Sequence, residues 1–237
     1  MNYEQMNNNK CYLYGTISSE PVFSHELYGE NFYDTTLVVP RLSEQADIVP
    51  ITISDRLLTT YNLKVGDKIA VKGQFRSYNK QENNKSKLML KMFVREIVET
   101  PLEAVTNYIE VIGYICKEPI YRTTPFKREI CDVLVAVNRA YNKSDYLPCI
   151  AWGRNARFAK SISVGEKVYL QGRVQSREYQ KRLDDETVET RTAYEISITK
   201  LSLETLSQPL QTELCTQFQS LQEESQDIKL QNANWNF

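Results

Sequence analysis

The sequence predicts a mainly all-β protein made of two tandem barrels of five strands each, with a short helix between the third and fourth strands of each barrel. Three observations lead to this prediction. The chain repeats itself, each copy contains short runs that alternate apolar and polar residues, and glycines lie inside those runs where a strand has to bend. At 237 residues the chain has room for two domains of about 100 residues, a size that buries a usable core.

The internal repeat aligns a segment that starts at Asn9 with one that starts at Asn107. At a constant spacing of 98 residues, ten identities recur: Asn9/Asn107, Gly15/Gly113, Ile17/Ile115, Glu20/Glu118, Pro21/Pro119, Asp34/Asp132, Val39/Val137, Arg41/Arg139, Asp47/Asp145 and Pro50/Pro148. At a spacing of 99 the match resumes with Val65/Val164, Gly66/Gly165, Lys68/Lys167, Gly73/Gly172 and Ser77/Ser176. We infer a duplicated domain, with a first domain over 1–100, a linker over 101–106, a second domain over 107–204 and a flexible tail over 205–237.

Each copy presents the same local signals in the same order. In the second copy these are an alternating strand through Ile109, Val111 and Ile115, a Glu118-Pro119 turn, apolar strands over 133–137 and 147–152, a helix over 155–162, a strand over 167–176 with an interior glycine, a polar loop over 180–191 and a last alternating strand. In the first copy the turn, helix, fourth strand and loop are Glu20-Pro21, 55–61, 68–77 and 79–87. This order is typical of a small barrel of the OB type, and other five-stranded arrangements fit it too.

Aromatic and arginine residues are concentrated in the segment 132–154 of the second copy. Its two apolar strands are joined by turn-forming residues at 142–145, so rings near the turn come together with arginines beside them: Tyr141, Tyr146, Trp152, Arg139 and Arg154. A packed core rarely places arginines next to tyrosines, whereas a surface on which nucleobases stack uses both. The segment therefore predicts a nucleic-acid-binding surface.

The composition excludes several classes of protein. The net charge of −1 conceals an uneven distribution, because Lys+Arg outnumber Asp+Glu by 16 to 12 over residues 107–200, whereas the ratio is 1 to 5 over 201–237. The single histidine, His25, leaves little room for histidine-based catalysis, and the sequence has no GxxxxGK[ST] loop, metal-ligand cluster or Ser/His/Asp arrangement. We therefore expect no enzymatic activity, no cofactor and no metal, and we interpret Asp184-Asp185-Glu186 as a solvated loop tip.

The cysteines and the hydropathy pattern indicate a compartment. Five cysteines without a CxxC pair, together with the lack of a signal-like segment or a run of about 18 apolar residues, predict a cytoplasmic protein with buried thiols and no membrane span.

Several blocks of the second copy resemble the bacterial single-stranded DNA-binding protein family. They are, in order, NYIEVIGYICKEP, DVLVAVNRAY, DYLPCIAWGRNA, SVGEKVYLQGRVQSREY and TAYEISITK. The resemblance covers residues 107–200 closely and 9–99 loosely. It implies an OB barrel that binds and protects single-stranded DNA at the nucleoid, without sequence preference, in replication, recombination and repair.

The resemblance also implies which residues contact DNA. By position, the stacking aromatics fall on Tyr141, Tyr146, Trp152 and Tyr179. The cations expected to neutralise phosphates are Arg122, Arg139, Arg154, Arg173, Arg177 and Lys181.

Assembly and partner recruitment are further implications of the resemblance. The usual assembly of the family has four OB folds, which implies a homodimer for a chain that carries two. Family members end in an acidic run tipped by Ile-Pro-Phe that recruits replication and repair enzymes. Here Trp235 and Phe237 form the candidate docking tip, but Asn236 stands in place of the proline and the nearest acid is Asp227, so the tip departs from that pattern.

The two copies are not equivalent in their candidate DNA-binding residues. The positions that match Tyr141, Tyr146, Trp152 and Tyr179 are Ser43, Ile48, Ser54 and Lys80. We therefore expect the second barrel to hold most of the DNA, and the first to complete the assembly or to bind weakly through Arg41, Arg76 and Tyr78. Two other interpretations stay open: an RNA-binding OB protein, and an assembly or recombination-mediator protein with little DNA binding.

Overall fold

A computed structural model describes residues 7–82, 85–99, 105–182 and 188–204. The first barrel contains β1 (Asn9–Ile17), β2 (Val22–Leu27), β3 (Glu30–Pro40), β4 (Ala46–Ser54), α1 (Asp55–Thr60), β5 (Lys68–Glu82) and β6 (Lys85–Val98). The second contains β7 (Asn107–Thr123), β8 (Glu129–Arg139), β9 (Lys143–Trp152), α2 (Arg154–Ala159), β10 (Lys167–Arg182) and β11 (Val188–Leu203). The predicted fold class, two mainly β OB barrels with one short helix each, is confirmed.

Each barrel closes on itself with the same strand order. In the second barrel the order is β7-β8-β9-β11-β10, and β10 pairs back with β7. In the first barrel the order is β1-β3-β4-β6-β5, β5 pairs back with β1, and β2 extends the sheet beyond β3. The pairs β9–β11 and β4–β6 are parallel, whereas the other pairs are antiparallel. The helix precedes the strand that closes each barrel, as the sequence predicts.

Interior glycines allow β5 of the first barrel and β10 of the second to bend. The register of β5 with β6 shifts at Gly73, and the register of β10 with β11 shifts at Gly172. A Cβ atom on Gly172 would overlap with the carbonyl oxygen of Ser197, and one on Gly73 would overlap with that of Phe93. Only glycine permits such a close approach of two backbones.

The predicted Glu-Pro turn is correct in the first copy and wrong in the second. In the first barrel, Glu20 and Pro21 separate β1 from β2. In the second barrel, β7 runs on through Glu118 and Pro119, and its register with β8 shifts there. Because a bulge leaves ladder positions unpaired, the strand accommodates a proline that has no amide hydrogen.

The predicted polar loops over 79–87 and 180–191 are wrong for most of their length. β5 and β6 pair as far as Glu82 and Lys85, and β10 and β11 pair as far as Arg182 and Val188. The side chains of 78–81 and 178–180 are exposed. A ribbon with water on both faces has no apolar alternation, so its sequence resembles that of a loop.

The two barrels are joined by antiparallel pairing of β1 with β7. Cys11 lies opposite Ile109, and the ladder extends to Asn9 opposite Val111 and Leu13 opposite Asn107. Because Ile109 is the repeat equivalent of Cys11, the pairing is symmetric about this position and the two barrels are related by an approximate two-fold axis. Both barrels belong to one compact unit.

Equivalent asparagines support this arrangement inside each barrel. The Asn9 side chain donates to the carbonyl of Phe75 at 2.7 Å and accepts from its amide at 3.0 Å. The Asn107 side chain makes the same pair of bonds with Val174, at 2.7 and 2.9 Å. Each asparagine side chain thus replaces backbone hydrogen bonds to β5 or β10, at a point where the asparagine backbone pairs with the other barrel.

Substitution of Gly172 by alanine is expected to lower the free energy of unfolding by about 1–3 kcal/mol, because the added methyl group has no space beside Ser197. Urea unfolding monitored by circular dichroism measures the change. Thr192→Ala on the exposed side of β11 is the control, and its effect should stay within about 0.5 kcal/mol. Equal stability of the two variants would contradict the close approach.

Candidate nucleic-acid interface

The tip of the β8–β9 hairpin carries the first predicted stacking residue. The turn consists of Ala140, Tyr141 and Asn142, and the predicted turn residues 143–145 instead belong to β9. Tyr141 and Asn142 adopt left-handed conformations, with φ of 60° and 53°, as a tight hairpin turn requires. The Tyr141 residue is 79% exposed. Asp145 is polar for a reason other than turn formation, since it is buried between the barrels.

Tyr146 and Trp152 lie on the outer face of the second barrel. The inward residues of β9 are Asp145, Leu147, Cys149 and Ala151, all buried. Tyr146 and Trp152 are 45% and 38% exposed. Because side chains alternate along a strand, these two residues share a face and lie about 20 Å apart. One length of extended nucleic acid can reach both rings.

The β10–β11 hairpin presents another ring beside guanidinium groups. Arg177 and Tyr179 are two positions apart on β10 and share a face. The guanidinium carbon of Arg177 lies 5.9 Å from the centroid of the Tyr179 ring, within the range of a cation–π contact. Arg191 lies opposite Tyr179 on β11.

A groove of about 400 Å³ crosses the outer face of the second barrel. Leu134 and Pro148 contribute its apolar lining, and Pro148 lies between Tyr146 and Trp152 on the same face of β9. Its charged lining is balanced, with three cations and three carboxylates: Lys117, Arg122, Arg177, Glu118, Asp132 and Glu195. Sequence reasoning identified Arg122 and Arg177 but missed Lys117 and the acids.

Four of the predicted phosphate-binding arginines already face carboxylates. The pairs are Arg122 with Asp132 at 2.8 Å, Arg139 with Asp145 at 3.3 Å, Arg173 with Asp47 at 3.1 Å and Arg177 with Glu195 at 3.9 Å. A phosphate at any of these positions would have to compete with the carboxylate. The pair of Arg122 with Asp132 is exposed at both partners and therefore weak, and Glu195 is largely buried beside an exposed Arg177. The pairs at Asp47 and Asp145 involve fully buried carboxylates.

The remaining predicted residues are placed less centrally. Arg154 begins α2 and is exposed. The backbone of Lys181 belongs to β10, but the structure does not describe its side chain. Trp235 and Phe237 lie outside the described residues. Asp184-Asp185-Glu186 lies outside them too.

The first barrel presents a different set of rings and cations. The Arg76 guanidinium carbon lies 3.9 Å from the centroid of Phe93, and the Lys91 ammonium lies 4.8 Å from the centroid of Tyr78. Sequence reasoning named Arg76 and Tyr78 but missed Phe93 and Lys91. The repeat gave no signal for them, because the strand pairing shows that the equivalent residues of β11 are Ser197 and Glu195.

Two buried aspartates cross between the barrels in a reciprocal arrangement. Asp47 of the first barrel accepts a hydrogen bond from the amide of Ser176 in the second, at 2.8 Å. Asp145 of the second barrel accepts one from the amide of Ser77 in the first, also at 2.8 Å. Both aspartates have an exposed fraction of 0%. The repeat identities Asp47/Asp145 and Ser77/Ser176 are thereby explained as contacts between the barrels.

The serine hydroxyl groups complete the same reciprocal pattern. Ser77 Oγ accepts a hydrogen bond from the amide of Tyr146 at 2.7 Å. Ser176 Oγ accepts one from the amide of Ile48 at 3.0 Å. Each serine therefore binds two consecutive residues of the opposite barrel.

The two aspartates differ in their counter-charges. Asp47 accepts hydrogen bonds from both Arg41 and Arg173. Arg41 Nε lies 2.9 Å from Asp47 Oδ2, and Arg173 Nη1 lies 3.1 Å from the same oxygen. These two predicted DNA-binding arginines thus hold the junction between the barrels. Within the described residues, Asp145 forms an ion pair only with Arg139, and its Oδ2 atom has no hydrogen-bond partner.

Burial raises the pKa of Asp145. The amide of Ser77 and the charges of Arg139 and Arg76 act in the opposite direction but do not overcome the loss of solvent. The repeat position that matches Arg173 is Gln74, so the junction at Asp145 lacks the second guanidinium group that Asp47 has. This junction is therefore the less well compensated of the two.

The thiols, the possible metal ligands and the helices add little chemistry. Cys11, Cys131 and Cys149 are buried free thiols and Cys116 is half-buried, whereas Cys215 lies outside the described residues. Burial raises the pKa of the Cys11 and Cys149 thiols, which disfavours the reactive thiolate.

Across the described ranges, no group of three His, Cys, Asp or Glu side chains is placed to hold a metal ion. None of the helices described has the length and hydropathy needed to cross a bilayer.

The fold and the outer face define a protein of two OB barrels in which the second carries exposed rings beside arginines. Residues 106–204 match the profile of the Single-strand binding protein family, so the second barrel is similar to that family. The resemblance predicted from the sequence is confirmed.

Curated proteins are similar to part of the chain. Single-stranded DNA-binding protein 1 of Staphylococcus aureus (strain COL) is 30% identical over 83 residues, which cover 32% of this chain and 50% of that protein. Single-stranded DNA-binding protein A of Bacillus subtilis (strain 168) is 28% identical over 83 residues, covering 32% and 48%. The chain thus spans about half the length of the curated relatives it matches.

A solved structure extends the similarity to both barrels. The wild-type single-stranded DNA binding protein from Thermus aquaticus aligns with a TM-score of 0.64 and 19% identity over 86% of this chain and 96% of that chain. At this level of identity, the alignment shows a shared fold.

Replacement of Asp145 by asparagine is expected to cost less stability than replacement of Asp47. Asparagine keeps an acceptor for the Ser77 amide and removes a poorly compensated charge, whereas at Asp47 it breaks contacts with two guanidinium groups. Breaking a buried charge pair costs about 3–5 kcal/mol, and urea unfolding at neutral pH measures the difference. A larger loss in Asp145→Asn would contradict the asymmetry.

The pH dependence of the Asp145→Asn variant provides its second measurement. The pKa of Asp145 is raised above 3.8 in the folded protein, so the folded state holds this proton more tightly than the unfolded chain does. The contribution of Asp145 to stability therefore falls as the pH rises from 3.8 through the raised value. The variant lacks this fall, so its unfolding free energy relative to wild type should increase over that range.

Proposed function

We propose that this protein binds and protects single-stranded DNA without sequence preference, and that the second barrel holds most of the DNA. The observation that carries the proposal is the placement of Tyr146 and Trp152 on one outer face of the second barrel, which also carries a groove lined by both cations and carboxylates. The family of the second barrel supports the same ligand. The proposed activity is binding without turnover, in replication, recombination and repair.

Stacking supplies the main attraction in this proposal. A base that stacks on an aromatic ring gains about 1–3 kcal/mol, and any base can do so because every base has a π-face. Tyr141, Tyr146, Trp152 and Tyr179 each expose part of a ring. Paired bases cover their faces, so the same surface discriminates against duplex DNA.

Phosphate neutralisation is the second term, and the carboxylates of the groove limit it. Arg122 and Arg177 face Asp132 and Glu195, so a phosphate gains only the difference between two partners. Lys117 adds a cation to the same lining. The logarithm of affinity is expected to fall by about 0.7 per neutralised phosphate for each tenfold increase in salt.

Replacement of Tyr146 or Trp152 by alanine is expected to weaken binding to labelled oligo-dT by about 5-fold to 150-fold each, since one stacked base is lost. Fluorescence anisotropy on the full-length chain measures the dissociation constant. The experiment is repeated at two salt concentrations, because stacking loss should be similar at both.

Ile48→Ala is the matched control, since Ile48 occupies the repeat position of Tyr146 in the first barrel and is exposed. Its affinity is expected to remain within about twofold of wild type. If Tyr146→Ala and Trp152→Ala together left a folded protein with unchanged affinity, the proposed function would be wrong.

The first barrel has a smaller role in this proposal. Arg76 lies against the ring of Phe93, and Tyr78 lies against the ammonium group of Lys91, so these residues offer a weak second surface. Arg41, by contrast, is held by Asp47 and by the carbonyl of Ser176, so its charge is committed to the junction.

The proposed assembly is a homodimer that presents four OB folds. Sedimentation of the full-length chain is expected to give twice the chain mass of 27.6 kDa, and a single-chain mass at micromolar concentration would refute the dimer. Recruitment of replication or repair proteins through Trp235 and Phe237, and a location at the nucleoid, stay predictions.

A further inference from the structure

The backbone of Tyr146 is held by the first barrel. Its amide donates to Ser77 Oγ at 2.7 Å, and the preceding carboxylate, that of Asp145, accepts from the Ser77 amide at 2.8 Å. Ser77 lies on β5 and is buried. Hydrogen bonds shielded from water constrain geometry more strongly than exposed ones. A residue of one barrel thereby fixes the strand segment that carries a ring on the other.

The same pair of bonds exists at the repeat-related position without a ring. Ser176 Oγ accepts from the amide of Ile48, and the Ser176 amide donates to Asp47. Ile48 has an aliphatic side chain, which offers no π-face. The chain therefore contains two copies of one junction, and only one copy positions an aromatic residue.

The junction at Tyr146 also gathers positive charge. Arg76 of the first barrel and Arg139 of the second both interact electrostatically with Asp145. Burial, and then the charges of Arg139 and Arg95, lower the pKa of Arg76 to about 10, so the side chain remains cationic at neutral pH. Two guanidinium groups thus act on one buried carboxylate, and only that of Arg139 lies within ion-pair distance of it.

On the basis of the proposed function, we propose that Ser77 is a positioning residue of the single-stranded DNA site. It holds the backbone of Tyr146 so that the ring is oriented for base stacking. The site is then complete only where the two barrels meet, and the first barrel is part of it even though its own outer face lacks the predicted stacking residues.

A double-mutant cycle on the full-length chain tests this inference. The dissociation constant for labelled oligo-dT is measured by fluorescence anisotropy for Ser77→Ala, for Tyr146→Ala and for the two combined. Ser77→Ala is expected to weaken binding by about 5-fold, the equivalent of one hydrogen bond. In the Tyr146→Ala background the same substitution should change affinity by less than about twofold, because its effect acts through the ring.

Ser176→Ala is the matched control, since it removes the same hydroxyl group from the ring-free junction. It is expected to lower the melting temperature about as much as Ser77→Ala does and to leave affinity within about twofold of wild type. Equal loss of affinity in both serine variants, an additive cycle, or unchanged affinity in Ser77→Ala would each overturn the inference. Failure of the proposed function is distinguishable, because Tyr146→Ala alone would then bind as tightly as wild type.

Discussion

The pairing of β1 with β7 is the constraint on which the rest of the structure depends. Because it is symmetric about Cys11 and Ile109, it brings equivalent surfaces of the two barrels together. A buried aspartate of each barrel then meets a serine amide of the other. The contact between the barrels buries Asp47 and Asp145, and the serine amides supply donors that a buried carboxylate needs. The edge pairing thus determines both the junction and the position of Tyr146.

Much of the fold could be predicted from the sequence because its causes are local. Apolar alternation marks the strands that line each core, and glycines such as Gly172 mark the bends. The errors arose where a local signal has two physical meanings. Glu118-Pro119 is typical of a turn, but a bulge within β7 accommodates it. The exposed ribbon residues 79–81 and 180 resemble loop residues because their sequence has no apolar alternation.

The candidate site was predictable in its rings and not in its charges. Tyr146 and Trp152 stand out as aromatics in a strand whose alternate residues are apolar, and the family resemblance assigns them a role. The partners of the arginines come from other strands or from the other barrel, as with Arg173 and Asp47, which are 126 residues apart in sequence. No local pattern reports such a pair. The same holds for Ser77, whose importance appears only when the two copies are seen in contact.

The covalent connection between the two copies gives their pairing a particular thermodynamic character. Two separate subunits that met along the same edge would come apart on dilution, whereas tethered partners meet at an effective concentration fixed by the connecting segment. Association of β1 with β7 is therefore a first-order process, independent of how much protein a cell contains. Because each copy has its own codons, a substitution alters one barrel of the chain and leaves the other unchanged. The two barrels can therefore diverge in sequence independently.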